Sequence, residues 1–100
     1  MVTTHYNNLS PAEAERLALL LEELGEAQQA IGKILRHGYE SYHPLAPSPT
    51  NREMLEREIG DIIFALGFME DAGDLNRQSI CDHKNNKAVN VRKYLHHQGA

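Results

Sequence analysis

The chain has 100 residues, of which 41% are apolar and 24% are charged, and these values are typical of one globular domain. No apolar run approaches the roughly 20 residues that a membrane-spanning helix needs, and the first residues lack the apolar segment of a signal peptide. We therefore expect a cytoplasmic protein that does not associate with membranes. The single cysteine, Cys81, excludes an intrachain disulfide and argues against a zinc site built from cysteines.

The net charge of −4 is distributed unevenly along the chain. Residues 1–74 contain 13 acidic and 5 basic residues, whereas residues 75–100 contain 1 acidic and 5 basic residues. Such an acidic part followed by a basic part is compatible with two halves of a site for a metal-bound polyphosphate. Complementary faces of a helical bundle are the more common explanation, although composition alone leaves both open.

The first predicted element is a long amphipathic helix over residues 11–36. Ser10 is placed as its N-cap, Pro11 occupies the first helical position, and Glu13 completes a capping box. Gly38 is placed to end the helix. Apolar residues recur at three- and four-residue spacing and predict the buried face: Leu17, Leu20, Leu21, Leu24, Ile31 and Leu35.

Two further helices are predicted after a loop. Residues 39–50 contain three prolines, so they form either a functional loop or a plain crossover. Thr50 then begins a second helix with another capping box, and Gly73 ends it. Asp74 is predicted to cap a third helix that continues to about His97. No strand pattern occurs, so the predicted fold class is all-α.

The second helix carries two carboxylates within an apolar sequence. On a helical wheel Glu58 and Asp61 share a sector with Met54, Ala65 and Phe68, beside a stripe of apolar residues, which are Leu55, Ile59, Ile62, Leu66 and Met69. Burying an ionised carboxylate costs several kcal/mol unless another group compensates its charge. This helix therefore requires a compensating partner.

The first helix carries a second acidic group, Glu22, Glu23 and Glu26, at spacings that bring the side chains within reach of one another. Taken alone, these acids are more typical of a solvated helix face. If the first two helices pack antiparallel, however, four or five carboxylates meet near mid-helix and need protons or a cation. Oxygen ligands alone favour Mg²⁺ or Mn²⁺. A ferritin-like di-iron site is the chemical rival, but it is disfavoured because the only Glu-x-x-His sequence, at 40–43, lies in the loop.

Three segments together resemble the MazG-like, all-α nucleoside triphosphate pyrophosphohydrolases over residues 10–95: Glu22-Glu23-Leu24-Gly25-Glu26-Ala27, Ile31-Gly32-Lys33 and Glu58-Ile59-Gly60-Asp61. The resemblance implies one all-α domain over residues 1–100, with three long helices completed to a four-helix core in a homodimer or homotetramer. It also implies a Mg²⁺-dependent hydrolase, with Mn²⁺ as an alternative metal. The expected reaction converts a nucleoside triphosphate, including a deoxy or non-standard one, to monophosphate and pyrophosphate in the nucleotide pool.

The resemblance also implies roles for individual residues. It makes Glu23, Glu26, Glu58 and Asp61 the metal ligands, and Glu22 a further ligand or the group that orients the attacking water. On the third helix it implies three substrate-binding residues, namely Lys84, Lys87 and Asn90. Arg92 and Lys93 are further candidates. The aromatic candidates for stacking on the base near the first motif are His5 and Tyr6, and base preference is not predicted.

The third helix leaves two matters open. Lys84 and Lys87 lie in the same helical sector as its apolar residues, so they either extend to water or face an anion inside an assembly. A phosphoribosyl-ATP pyrophosphohydrolase, which shares the related fold, is the nearest alternative enzyme. The alternative from another class is a non-catalytic helical oligomer that binds nucleic acid or a protein through its basic third helix. That alternative gives Glu58 and Asp61 no role.

Overall fold

A computed structural model describes residues 7–99, and its regular elements are all helical. Helix α1 spans Pro11–His37, α2 spans Asn51–Asp71, α3 spans Arg77–Asn90, and a 3₁₀ turn follows at Val91–Tyr94. No strand occurs within this range, so the all-α class predicted from the sequence is confirmed. None of the described helices is both long enough and apolar enough to cross a membrane.

Helices α1 and α2 begin and end largely where local signals predict. The Ser10 hydroxyl accepts a hydrogen bond from the Glu13 N–H at 3.1 Å, and the Glu13 carboxylate accepts one from the Ser10 N–H at 2.8 Å. Thr50 and Glu53 form the same reciprocal pair at the start of α2. Gly38 ends α1 with φ of 91°, a left-handed value that glycine adopts without a steric penalty.

The predicted N-cap of α3 is wrong. Asn76 caps the helix, because its side-chain oxygen accepts the Ser79 N–H at 2.8 Å. The Asp74 carboxylate instead accepts two hydrogen bonds from Arg16 of α1, from Nε at 2.6 Å and from Nη2 at 3.0 Å. The predicted end near His97 is also too late, since α3 stops at Asn90. Its last two turns contain Asn85, Asn86, Val89 and Asn90, and Asn and β-branched Val have weak helix propensity.

Helices α1 and α2 pack against each other in antiparallel directions. Two pairs of side chains show the register: Glu26 lies beside Glu58, and Glu23 lies beside Asp61. Between the first pair and the second, α1 moves three residues back and α2 moves three residues forward. The apolar side chains that this packing buries are mostly small, which allows a close approach of the two helices: Ala27, Ala30, Ala65 and Met69.

Much of the predicted apolar face remains exposed within a single chain. On α1 the exposed residues include most of the predicted stripe, Leu17, Leu21, Leu24, Ile31 and Leu35. On α2 they are Ile59, Ile63, Phe64 and Phe68. Helix α3 buries no residue and does not pack extensively on α1 or α2. The radius of gyration is accordingly 17.7 Å, against about 13 Å for a compact domain of this length.

Candidate functional site

Four carboxylates converge between α1 and α2. Glu23 and Glu26 from α1 and Glu58 and Asp61 from α2 each place one oxygen within 4.8 Å of the others. The three-residue spacing puts each pair on one side of its helix, and the antiparallel register brings the two pairs together. The structure thus assembles these four side chains, while their role as metal ligands stays a prediction. We refer to them below as the acidic cluster.

The acidic cluster is buried on one side and open on the other. Glu58 is only 6% exposed, whereas Asp61 is exposed to solvent. One carboxylate oxygen of Glu23 and one of Glu58 are buried without a hydrogen-bond partner. A buried acceptor without a donor is costly and uncommon in native proteins. The cluster therefore has unused ligand capacity beneath an opening at Asp61.

The carboxylates also perturb one another. Burial raises the pKa of Glu23, and the negative charges of Glu26 and Asp61 raise it further. The pKa of Glu26 is raised chiefly by a hydrogen bond with Glu58, which requires a proton, and then by the charge of Glu58 and by burial. The folded chain therefore favours a proton, or another cation, at this position.

No basic side chain neutralises the acidic cluster within residues 7–99. The ion pairs in this range lie elsewhere and join Arg16 to Asp74, Arg52 to Glu40, and Arg77 to Glu70. The cluster therefore differs from a structural ion-pair network, in which a positive partner would supply the compensation. Its donors are carboxylate oxygens alone, the set that hard divalent cations prefer.

Glu22 lies beside the acidic cluster rather than within it. Its side chain is exposed and borders an open groove on the outer side of α1 together with Glu26. It is near enough to Glu23 for its charge to raise the pKa of that residue. The structure thus places Glu22 next to the ligand candidates and leaves its catalytic role as a prediction.

The substrate-binding candidates on α3 are not brought to the acidic cluster within one chain. Lys84, Lys87 and Asn90 are exposed on a helix that does not pack extensively on α1 or α2. Arg92 and Lys93 are likewise exposed in the 3₁₀ turn. His5 and Tyr6, the candidates for stacking on a base, lie outside the described residues.

The structure reveals a groove that the sequence analysis did not identify. A cavity of about 290 Å³ begins at Glu26 and Glu58 and continues past Lys33, Asn51 and Met54. The same three residues line a larger cavity of about 570 Å³ under the loop between α1 and α2. Two sequence features border this groove, namely the long proline-containing loop and the Ile31-Gly32-Lys33 segment that follows the first acidic motif. Neither feature by itself predicts where a cavity lies.

Comparison of the chain with models of protein families, with curated proteins and with solved structures gave no match. The likeness to MazG-like pyrophosphohydrolases therefore depends on the three sequence segments given above, of which two carry the acidic motifs.

Proposed function

We propose that this chain is a metal-dependent nucleoside triphosphate pyrophosphohydrolase, which hydrolyses its substrate to the monophosphate and pyrophosphate. The observation that supports this most strongly is the acidic cluster. Four carboxylates from two helices meet without a basic partner among residues 7–99, and two of their oxygens are buried without a hydrogen bond from any of these residues. A helical protein with a purely structural role gains nothing from such an arrangement, because like charges at this distance repel.

The acidic cluster suits a hard divalent cation. Mg²⁺ is bound in proteins through a few carboxylates, and waters and substrate phosphates complete its octahedral coordination. Glu23 and Glu58 have unpartnered oxygens to offer it, and Glu26 and Asp61 complete the set. When bound, Mg²⁺ or Mn²⁺ supplies a Lewis acid that polarises phosphoryl oxygens.

The residues of the chain contribute two further functions. The exposure of Asp61 leaves one side of the acidic cluster accessible, so a triphosphate can approach without rearrangement of the helices. Glu22, exposed beside Glu23, orients the attacking water and accepts its proton, as expected of a general base. The oxygen of that water forms the new bond to phosphorus, and the link between the α- and β-phosphates breaks to release pyrophosphate.

The proposal includes a homodimer or homotetramer. The exposed apolar residues of α1 and α2 form a face that a second copy of the chain would cover, and burying apolar area drives such association. Helix α3, none of whose residues is fully buried within residues 7–99, is free to pack on that copy. Such packing would bring Lys84, Lys87 and Asn90 toward the phosphates bound at an acidic cluster.

A pyrophosphate-release screen tests the proposal. A panel of ribo- and deoxynucleoside triphosphates is incubated with the protein and Mg²⁺ or Mn²⁺, and an inorganic pyrophosphatase converts the product to measurable phosphate. We expect turnover of at least one nucleotide by the wild type and its loss in Glu58→Gln. Glu56→Gln is the matched control, because it makes the same change at an exposed position of α2 outside the acidic cluster.

Two results would contradict the proposal. One is the absence of pyrophosphate release from every nucleotide with either metal. The other is undiminished turnover by Glu58→Gln, since a buried ligand of the metal cannot be neutralised without consequence. Loss of turnover in Glu56→Gln as well would indicate a general effect of charge on the helix rather than a role of the acidic cluster.

A further inference from the structure

The cavity under the α1–α2 loop has the size and position of a second half of the substrate site. Its volume of about 570 Å³ lies within the range of small-molecule sites, about 300–1,000 Å³. It shares Lys33, Asn51 and Met54 with the smaller cavity that begins at Glu26 and Glu58. The acidic cluster and the loop cavity therefore belong to one continuous groove between α1 and α2.

The loop that walls the cavity is held at both ends. The Asn51 N–H donates to the Ser41 carbonyl at 2.8 Å, and the Arg52 N–H donates to the Tyr39 carbonyl at 2.8 Å. Arg52 also pairs with Glu40 through Nε at 2.6 Å. These bonds join the start of the loop to the start of α2, so both ends of the loop are held beside the groove.

The side chains that line the cavity combine apolar surfaces with hydrogen-bond donors. The apolar wall includes the Tyr42 ring, Met54 and two prolines, Pro44 and Pro49. Among residues 7–99 no acidic side chain borders the cavity, and its charged or chargeable groups are all basic, namely Lys33, Arg36, His37 and His43. Ser41, Ser48 and Asn51 add hydroxyl and amide groups that can donate or accept hydrogen bonds. The nearby carboxylate of Glu40 is occupied by Arg52.

One of these histidines has a defined hydrogen-bonding state when it is neutral. The Leu45 N–H donates to Nδ1 of His43 at 3.1 Å, so Nδ1 is the acceptor and Nε2 carries the proton. His43 therefore joins Lys33 and Arg36 as a donor. A ligand that fits this lining has a flat apolar ring and hydrogen-bond acceptors on its edge.

The spacing along α1 connects the two ends of the groove. Lys33 follows Glu26 by two helical turns, about 10 Å along the axis. A nucleotide whose phosphates lie at the acidic cluster would therefore extend its sugar and base toward the loop. This step rests on the proposed function, which places the phosphates at that cluster.

We infer that the loop cavity binds the nucleobase of the substrate and favours bases with ring carbonyl oxygens, such as guanine and uracil, over adenine. Tyr42 stacks on the base, and Arg36 and Lys33 donate hydrogen bonds to its carbonyl oxygens. Arginine pairs with the two adjacent acceptors of guanine, O6 and N7, whereas adenine presents a donor amine beside N7 that faces the same arginine donors. The apolar wall favours a base over an isolated phosphate group.

Direct binding tests this inference without requiring turnover. Isothermal titration calorimetry with Mg²⁺ measures the affinities of GMP, UMP and AMP for the intact protein and its variants. We expect GMP and UMP to bind more tightly than AMP. Tyr42→Ala should weaken GMP binding about tenfold, the size expected for loss of one base–aromatic stack. Arg36→Gln should reduce the preference for GMP over AMP.

Leu45→Ala is the matched control, since Leu45 lies in the same loop and is exposed but does not line the cavity. Tyr42 and Arg36 are also exposed, so their variants should fold, which circular dichroism checks. Equal affinities for GMP and AMP would overturn the inference. A loss of GMP affinity in Leu45→Ala as large as that in Tyr42→Ala would also overturn it. So would a loss of inorganic phosphate binding in Arg36→Gln as large as its loss of GMP binding, because that result would indicate a phosphate site.

The two proposals can fail separately. The expected pattern of GMP binding in a protein that releases no pyrophosphate would support the base site and overturn only the proposed hydrolysis. Turnover that depends on Glu58 but is equal for GTP and ATP, with Tyr42→Ala unchanged, would support the hydrolysis and overturn only the base site.

Discussion

Replacing Glu58 with Gln should stabilise the metal-free protein while abolishing its stabilisation by Mg²⁺. The substitution keeps the size of the side chain and removes one of four negative charges. Glu58 is the most deeply buried of the four, and one of its oxygens has no partner to lose. Metal-free wild type therefore bears a repulsion that the variant lacks.

The magnitude follows from the separation of the oxygens. Two unit charges 4.8 Å apart repel by about 3.5 kcal/mol at an effective dielectric constant of 20. Solvent on the open side and a shared proton reduce this, so we expect a gain of roughly 1–2 kcal/mol in the free energy of unfolding of Glu58→Gln. For a domain of this size that corresponds to a rise in melting temperature of about 4–16 °C.

Metal binding should act in the opposite sense. A ligand present at 100 times its dissociation constant stabilises the native state by about 2.7 kcal/mol, so millimolar Mg²⁺ should raise the melting temperature of the wild type. Thermal melts followed by circular dichroism, at one protein concentration and mildly alkaline pH, with EDTA or with Mg²⁺, measure both effects. A lower melting temperature for Glu58→Gln in EDTA, or an equal response of both proteins to Mg²⁺, would refute the reasoning.

Three further predictions concern pH, an ion pair and assembly. The pKa values of Glu23 and Glu26 are raised above the ordinary 4.5, so the folded state binds protons more tightly than the unfolded state. In EDTA the melting temperature of the wild type should therefore fall as pH rises above 4.5. The stabilisation of the folded state by Mg²⁺ should grow over the same pH range, because the metal competes with these protons. Arg16 lowers the pKa of Asp74, so Asp74→Asn should melt below the wild type at neutral pH, and this difference should vanish as pH falls below the ordinary 3.8. Phe64, 65% exposed in one chain, lies on the face assigned to a second copy, so Phe64→Asp should yield monomers in size-exclusion chromatography with light scattering.

The predictions for Asp74 and Phe64 each have a control within the chain. Asp71→Asn removes an exposed carboxylate near Asp74 and should leave the acid dependence of melting unchanged. Leu45→Asp places a charge on an exposed loop residue and should leave the assembly intact. A pH-independent melting temperature in EDTA, a Phe64→Asp protein of unchanged mass, or an Asp74→Asn deficit that persists in strong acid would each contradict its prediction.

Local interactions explain why the starts of α1 and α2 were predictable. A capping box needs only two side chains three residues apart, so Ser10 and Glu13 predict the start of a helix regardless of tertiary contacts. The start of α3 was not predictable in this way. Asp74 and Asn76 are both good capping residues, and the choice between them depends on Arg16, which lies 58 residues from Asp74 in sequence.

The acidic cluster was accessible from the sequence only in outline. Spacing placed Glu58 and Asp61 on one sector of α2, but a helical wheel assigns both the same surroundings. The structure separates them, because Glu58 faces α1 and is buried whereas Asp61 is exposed. The side of the acidic cluster that is buried depends on how α1 and α2 pack together. The periodicity of one helix contains no information about that packing.

The sequence by itself determined the helical class, the bounds of α1, the start of α2 and the acidic residues that share one side of each helix, since caps, periodicity and spacing are local properties. The selection of Glu23, Glu26, Glu58 and Asp61 among those acids came from the resemblance to the MazG-like family. Only the tertiary structure decided which apolar residues are buried, since small alanines rather than the leucine stripe form the contact between α1 and α2. It also decided that Asp74 accepts hydrogen bonds from Arg16 rather than capping α3. It further decided that Lys33 and the loop form one groove with Glu26 and Glu58. These features depend on how distant segments meet in space, which no local pattern specifies.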